Sequence, residues 1–132
     1  MSVFVDTSAL LAVLDADDIN HRRARETWES LISRDELLVC TNYVLVETFA
    51  LVQHRLGMKA VRIFQDDVSP VLIIEWVDES AHRAGVTGVL TALRKNLSLV
   101  DCVSFDVMRR LGIKSAFVFD SHFKEQGFDC IP

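Results

Sequence analysis

Val3-Phe4-Val5-Asp6-Thr7-Ser8 is the stretch from which the rest of this chain is read. An unbroken apolar run that stops on a carboxylate predicts a strand buried on both faces, the pattern of a parallel sheet. Its charge then falls at the C-terminal edge of that sheet, where open α/β folds place their ligands. Phe117-Val118-Phe119-Asp120-Ser121-His122 repeats the pattern near the other end. Two such strands side by side would aim two carboxylates at one point, which favours a bound cation.

Working outward from these runs, strands alternate with helices. A strand over 2–6 leads into a short helix, Ser8–Leu14, and Ile19–Ser33 shows helical spacing of Ala24, Trp28, Leu31 and Ile32. Leu37–Cys40 reads as a strand. Thr41 or Asn42 caps the next helix, which stops at Gly57. Met58–Val68 reads as a helix, Val71–Trp76 as a strand, and Asp78–Arg94 as a long helix. Gly85 and Gly88 each weaken that last helix by about 1 kcal/mol relative to Ala. Ser98 caps Leu99–Leu111, and Gly112 ends it. Ala116–Phe119 is a strand, 122–126 a turn or short helix, and Phe128–Ile131 a last strand. This order predicts one α/β domain over 1–132, a mostly parallel central sheet with helices on both faces.

Composition agrees with a folded domain. The 132 residues are 50% hydrophobic and 25% charged, enough for one full core. No charge-free stretch approaches the roughly 20 residues of a membrane span. No basic leader precedes Val3, so a secretory signal is not expected. Three cysteines without Cys-x-x-Cys spacing read as free thiols in a reducing cytoplasm. The net charge of -5 argues against a broad phosphate-binding surface, though not against a small metal-dependent site.

Most acids lie at element ends or in polar stretches and read as solvated. Four do not. Glu47 sits in Tyr43-Val44-Leu45-Val46-Glu47-Thr48-Phe49, apolar on nearly every side, and Asp101 sits in Leu99-Val100-Asp101-Cys102-Val103. Asp6 and Asp120 end the two apolar runs. No basic residue lies within four positions of Asp6 or Glu47, and an unpaired buried carboxylate is costly. Each acid alone has a structural alternative: Asp6 or Asp120 as a helix cap, Asp101 serving its helix dipole, Glu47 paired with Arg23 or Arg62. Together they predict a shared site. Two like charges about 4 Å apart repel by roughly 4 kcal/mol at an effective dielectric of 20, so such a cluster holds protons or a cation. An all-oxygen set selects Mg2+ or Mn2+, which suits phosphate chemistry.

Taken in order, Val-Asp-Thr-Ser-Ala at 5–9, the inward Glu47, Ser98-Leu-Val-Asp101 and Phe119-Asp120-Ser121-His122-Phe123 resemble the PIN-domain ribonucleases, most nearly the VapC-type toxins of toxin–antitoxin pairs. The resemblance spans the whole chain. It implies an Mg2+- or Mn2+-dependent endoribonuclease. Asp6 and Asp101 would hold the first ion; Glu47 and Asp120 would orient waters and assist proton removal. Thr7, Ser8, Ser98 and, less securely, Ser121 match the family's supporting hydroxyls. It also implies a homodimer, and a small antitoxin that covers the groove with a basic side chain among the acids. A PIN-fold RNA-processing nuclease, or a non-catalytic RNA- or protein-binding module, is the alternative role.

Supporting residues read less sharply. Arg22, Arg23 and Arg25, Lys59 with Arg62, and Arg94 with Lys95 fit an RNA backbone or simply solvated helix faces. Trp28 and Trp76 read as core or dimer packing ahead of stacking on bases, His54 and His82 as surface. His122 can reach the site beside Asp120. A haloacid-dehalogenase-type phosphatase needs a second Asp where Ser8 stands, and a phospho-receiver domain needs a late lysine that Lys124 is poorly placed to supply. The particular RNA, the antitoxin and the number of ions are not legible in the residues.

Overall fold

Val3, Phe4 and Val5 are at most 1% exposed because both faces of their strand are covered. The computed structural model describes all 132 residues. Strand β1 (Ser2–Val5) leads to helices α1 (Thr7–Leu14) and α2 (His21–Ser33), then β2 (Leu37–Thr41). Helices α3 (Asn42–Leu56) and α4 (Met58–Ile63) precede β3 (Ile73–Glu75). Helices α5 (Glu79–Ala92) and α6 (Leu99–Leu111) precede β4 (Ser115–Phe117), and α7 (His122–Glu125) precedes β5 (Asp129–Ile131).

The five strands are all parallel, in the order β3-β2-β1-β4-β5. The expected fold class is therefore the observed one. Chain order runs one way from β1 to β3, then returns to the other side of β1 for β4. That reversal makes the C-terminal edge between β1 and β4 the topological switch point, the crevice where doubly wound sheets bind ligands. Right-handed crossovers put α1–α4 on one face and α5–α7 on the other. Contacts follow this: α1 meets α2 and α3, while α5 meets α6.

The pairing of β1 with β4 matches Val5 to Phe117, and the Asp6 N–H donates to the Phe117 carbonyl at 3.1 Å. Phe4, Phe64, Phe117 and Phe123 are fully buried in a core of 27 residues. Cys40 is buried there, with its thiol pushed up to about 12 by burial, and all three cysteines are free.

Some boundaries moved. Helix α2 begins at His21, leaving Ile19 95% exposed. The segment after α4 continues as a π-helical turn, Phe64–Val68, and a 3-10 turn, Ser69–Val71, so β3 has only three residues. Strand β4 stops at Phe117, and Asp120 lies three residues past it rather than on the strand end. Trp28 packs against the core, but Trp76 is 70% exposed and does not.

Candidate metal centre and active site

Asp6 is the N-cap of α1, in extended backbone, and its Oδ2 accepts from the Ser8 N–H at 3.1 Å. The Ser8 hydroxyl donates to the same oxygen at 2.7 Å and accepts from the Phe119 N–H at 3.0 Å. Ser8 thus ties the carboxylate after β1 to the segment carrying Asp120. Asp6 is 4% exposed, and its carboxyl is pushed up to about 6. Burial is the main cause, opposed by the two Ser8 bonds and reinforced by the charges of Asp101 and Glu47.

Asp101 lies in the first turn of α6 and forms a capping box with Ser98. Ser98 Oγ accepts from the Asp101 N–H at 3.1 Å, and Asp101 Oδ2 accepts from the Ser98 N–H at 3.2 Å. Burial raises the Asp101 carboxyl above the usual range; the Asp120 charge adds to this, while the Ser98 bonds and His122 oppose it. Asp120 Oδ1 accepts from the His122 N–H at 2.8 Å. The imidazole of His122 lies between the two acids, with Nδ1 at 3.1 Å from Asp120 Oδ1 and 3.5 Å from Asp101 Oδ2. Donor atoms of Asp101, Asp120 and His122 all fall within 4.8 Å of one another.

The structural and functional readings of these acids are therefore not alternatives. Asp6, Asp101 and Asp120 each accept a backbone N–H at or just before a helix start, and in each the bonds use one oxygen only. The capping bond fixes the plane of the carboxylate and leaves its second oxygen free. Glu47 differs: it is half-buried on α3 and forms no ion pair, so the pairing with Arg23 or Arg62 does not occur. Its charge still reaches Asp6.

The hydroxyls divide. Ser8 and Ser98 bond the acids directly. Thr7 faces the core: its hydroxyl lies 3.1 Å from Thr48 Oγ1 and donates to the Val44 carbonyl at 3.4 Å, joining α1 to the helix of Glu47. Ser121 is exposed, and its side chain makes no capping bond. Arg22 and Arg25 pair with Glu26 and Glu29 on their own helix, and Arg94 pairs with Glu125. Arg23 instead lies 5.8 Å over the Phe119 ring, beside Asp120. His82 is half-buried rather than free on the surface, hydrogen-bonded to the Tyr43 hydroxyl one turn before Glu47.

Removing the Ser8 hydroxyl should loosen this site without unfolding the protein. Ser8→Ala leaves the Phe119 N–H without its acceptor and takes from Asp6 one of the two bonds that favour its charged form. Cleavage should fall on the order of tenfold to a hundredfold, with the loss greatest at low pH. A pH profile of kcat/KM checks this; an unchanged profile would remove Ser8 from the machinery.

The donor set fits a divalent cation. Three carboxylates offer free oxygens, and His122 Nδ1 is buried without a hydrogen-bond partner. Mutual repulsion of the acids is relieved by positive charge placed among them.

Comparison with known proteins agrees with this geometry. The chain is 33% identical over 127 residues to the 23S rRNA-specific endonuclease VapC20 of Mycobacterium tuberculosis, which covers 96% of this chain and 95% of that protein. The crystal structure of that VapC20, described as a sarcin-ricin loop cleaving toxin, superposes with a TM-score of 0.87 at 32% identity, over 99% of this chain and 100% of the other. FitAcB from Neisseria gonorrhoeae superposes with a TM-score of 0.70 at 14% identity, over 98% and 96%, a likeness of fold. Residues 3–129 match the PIN domain, and with Asp101, Asp120 and His122 clustered at the edge of a five-stranded parallel sheet and Asp6 within reach of the charges of Asp101 and Glu47, the chain belongs to the PIN-domain family.

Proposed function

We propose that this chain is a divalent-metal-dependent endoribonuclease and the toxin of a toxin–antitoxin pair, acting in the cytoplasm on 23S ribosomal RNA. The observation that carries it is the approach of Asp6, Glu47, Asp101 and Asp120 at the switch point, with the three aspartates each held by a local backbone N–H. The likeness to VapC20 over nearly the full length of both chains supports the substrate class. No helix is long and apolar enough to cross a membrane.

Asp6 and Asp101 would hold Mg2+ or Mn2+, and Asp120 with Glu47 would orient the water and help place a second ion. A bound divalent ion supplies a grip on a phosphodiester oxygen, an acidified water and positive charge for the leaving oxygen. The residues do the rest. Ser8 and Ser98 keep the carboxylate planes fixed, so no reorganisation is needed during reaction. Glu47, half-buried and free of any cation, accepts the proton from the attacking water. The same negative pocket suits a basic side chain from a small antitoxin, and the exposed Val46, Trp76, Leu90 and Leu93 offer apolar surface for that partner or for a homodimer.

Purified protein added to ribosomes with Mg2+ or Mn2+ should cut 23S RNA at a single position, mapped by primer extension, and excess chelator should abolish the cut. Glu47→Gln should slow it on the order of 10²- to 10⁴-fold. Induced expression should arrest growth, relieved by co-expression of the adjacent partner gene. Full cleavage in chelator would sink the metal assignment, and unimpaired growth the toxin role.

A further inference from the structure

We propose that His122 is itself a metal ligand, so that Asp101, Asp120 and His122 form a mixed oxygen–nitrogen subsite that prefers Mn2+ to Mg2+. This rests on reading the chain as a metal-dependent nuclease, and adds a nitrogen donor to what its acids alone present as an all-oxygen site.

Three observations carry it. His122 is 9% exposed, and its Nδ1 makes no hydrogen bond although carboxylate oxygens stand 3.1 and 3.5 Å away. Those contacts are not aligned as hydrogen bonds, so the imidazole is not a bridge donating between two acids. Oxygens displaced from the axis of a nitrogen lone pair are what a coordination shell requires, because neighbouring ligands share an ion and do not point at each other. Spacing agrees: adjacent ligands of an octahedral ion bound at about 2.1 Å stand about 3 Å apart, and Asp120 Oδ1 and Asp101 Oδ2, though each accepts one backbone N–H, keep a second lone pair for an ion. A buried polar atom without a partner is an anomaly in a folded protein, and an ion in the space shared with both acids satisfies it.

The ring is also held in place. His122 donates its backbone N–H to Asp120, and the next residue, Phe123, is fully buried. Phe123 packs edge-on to Phe105 at 4.9 Å and against Phe4 at 6.2 Å. The backbone of helix α7 that carries the imidazole is therefore fixed to the core. Nitrogen in the ligand set has a chemical consequence. Carboxylate and water suit Mg2+, whereas imidazole raises affinity for first-row transition ions.

The test uses the intact protein and Mn2+ itself. Pulsed EPR of the Mn2+-loaded protein should show coupling to a directly bound imidazole nitrogen, and that signal should change when histidine alone is 15N-labelled. Labelling needs no substitution, so folding is not at issue. His122→Gln should lose the coupling and weaken Mn2+ binding on the order of tenfold or more, while Mg2+ binding moves by less than about twofold. Mn2+ bound by wild-type protein that cleaves RNA, but without histidine coupling, overturns the proposal and leaves the nuclease reading intact. Coupling that survives in His122→Gln assigns it to another histidine and overturns it as well. Failure of wild-type protein to bind Mn2+, with cleavage persisting in chelator, removes the metal reading and this proposal with it.

Discussion

Asp6→Asn should raise the melting temperature of the metal-free protein while abolishing its RNA cleavage. Asp6 is 4% exposed, with its carboxyl raised from 3.8 to about 6, first by burial and then by Asp101 and Glu47. The folded state therefore binds a proton more tightly than the unfolded one. The stability this gives is fully present below 3.8 and is lost as pH rises through about 6. At pH 7.5 the ionised group costs up to roughly 3 kcal/mol. Asparagine carries no charge, caps helices as well as aspartate, and offers one oxygen to both Ser8 donors. The substitution should gain about 2 kcal/mol at pH 7.5, on the order of 5–10 °C in Tm, and the gain should shrink towards pH 4. Melting curves in chelator across this range check it. Saturating Mg2+ should reverse the order, because only the wild-type protein gains binding free energy. Equal melting temperatures at pH 7.5 and pH 4 would mean that the carboxylate is not strained.

That strain explains how much of the site was legible in the residues. Asp6 and Glu47 stood out because the chain offers them no local cation, a property that primary structure contains. The parallel sheet, the first strand within 2–6 and the caps Thr41 and Ser98 follow from periodicity and short-range bonding, which act within a few residues. What was not legible depends on residues far apart in sequence. Asp101 and Ser98 read as a cap or a site, and only the folded chain shows the cap and makes the two readings compatible, because a capping bond uses one oxygen and leaves the other. Thr7 and Ser8 are adjacent hydroxyls, yet one joins α1 to α3 and the other bonds Asp6, a choice set by how α3 packs. The partnership of His82 with Tyr43, 39 positions away, has no local signal. Asp120 lies in a loop rather than on the strand, since the apolar run through Phe119 outlasts the pairing of β4 with its neighbours. His122 could be placed near the site from its distance to Asp120, but its burial depends on Phe123 packing into the core.

Gly85→Ala should destabilise the protein, although helix propensity alone predicts a gain of about 1 kcal/mol. The apparent weakness of Gly85 and Gly88 is what lets α5 and α6 touch. A methyl at 85 would meet Val103 Cγ2 at 2.4 Å and Leu99 Cδ1 at 3.2 Å, and one at 88 would meet Cys102 Cβ at 3.3 Å. Val103 is fully buried and β-branched, so it has no free rotamer into which to retreat. Overpacking of this kind costs about 1–3 kcal/mol, enough to outweigh the propensity gain. Val103→Ala opens the space that the new methyl needs. The double variant should then be less damaged than the sum of the singles by about 1 kcal/mol or more, measured by urea unfolding. The consequence extends to the acids, because Leu99 and Val103 flank Asp101 on the first turns of α6. Gly85→Ala should therefore lower kcat/KM at temperatures where the protein is still folded, and Val103→Ala should restore part of it. Additive stabilities, within about 0.5 kcal/mol, would show that the two helices part without strain and that Asp101 does not depend on their close approach.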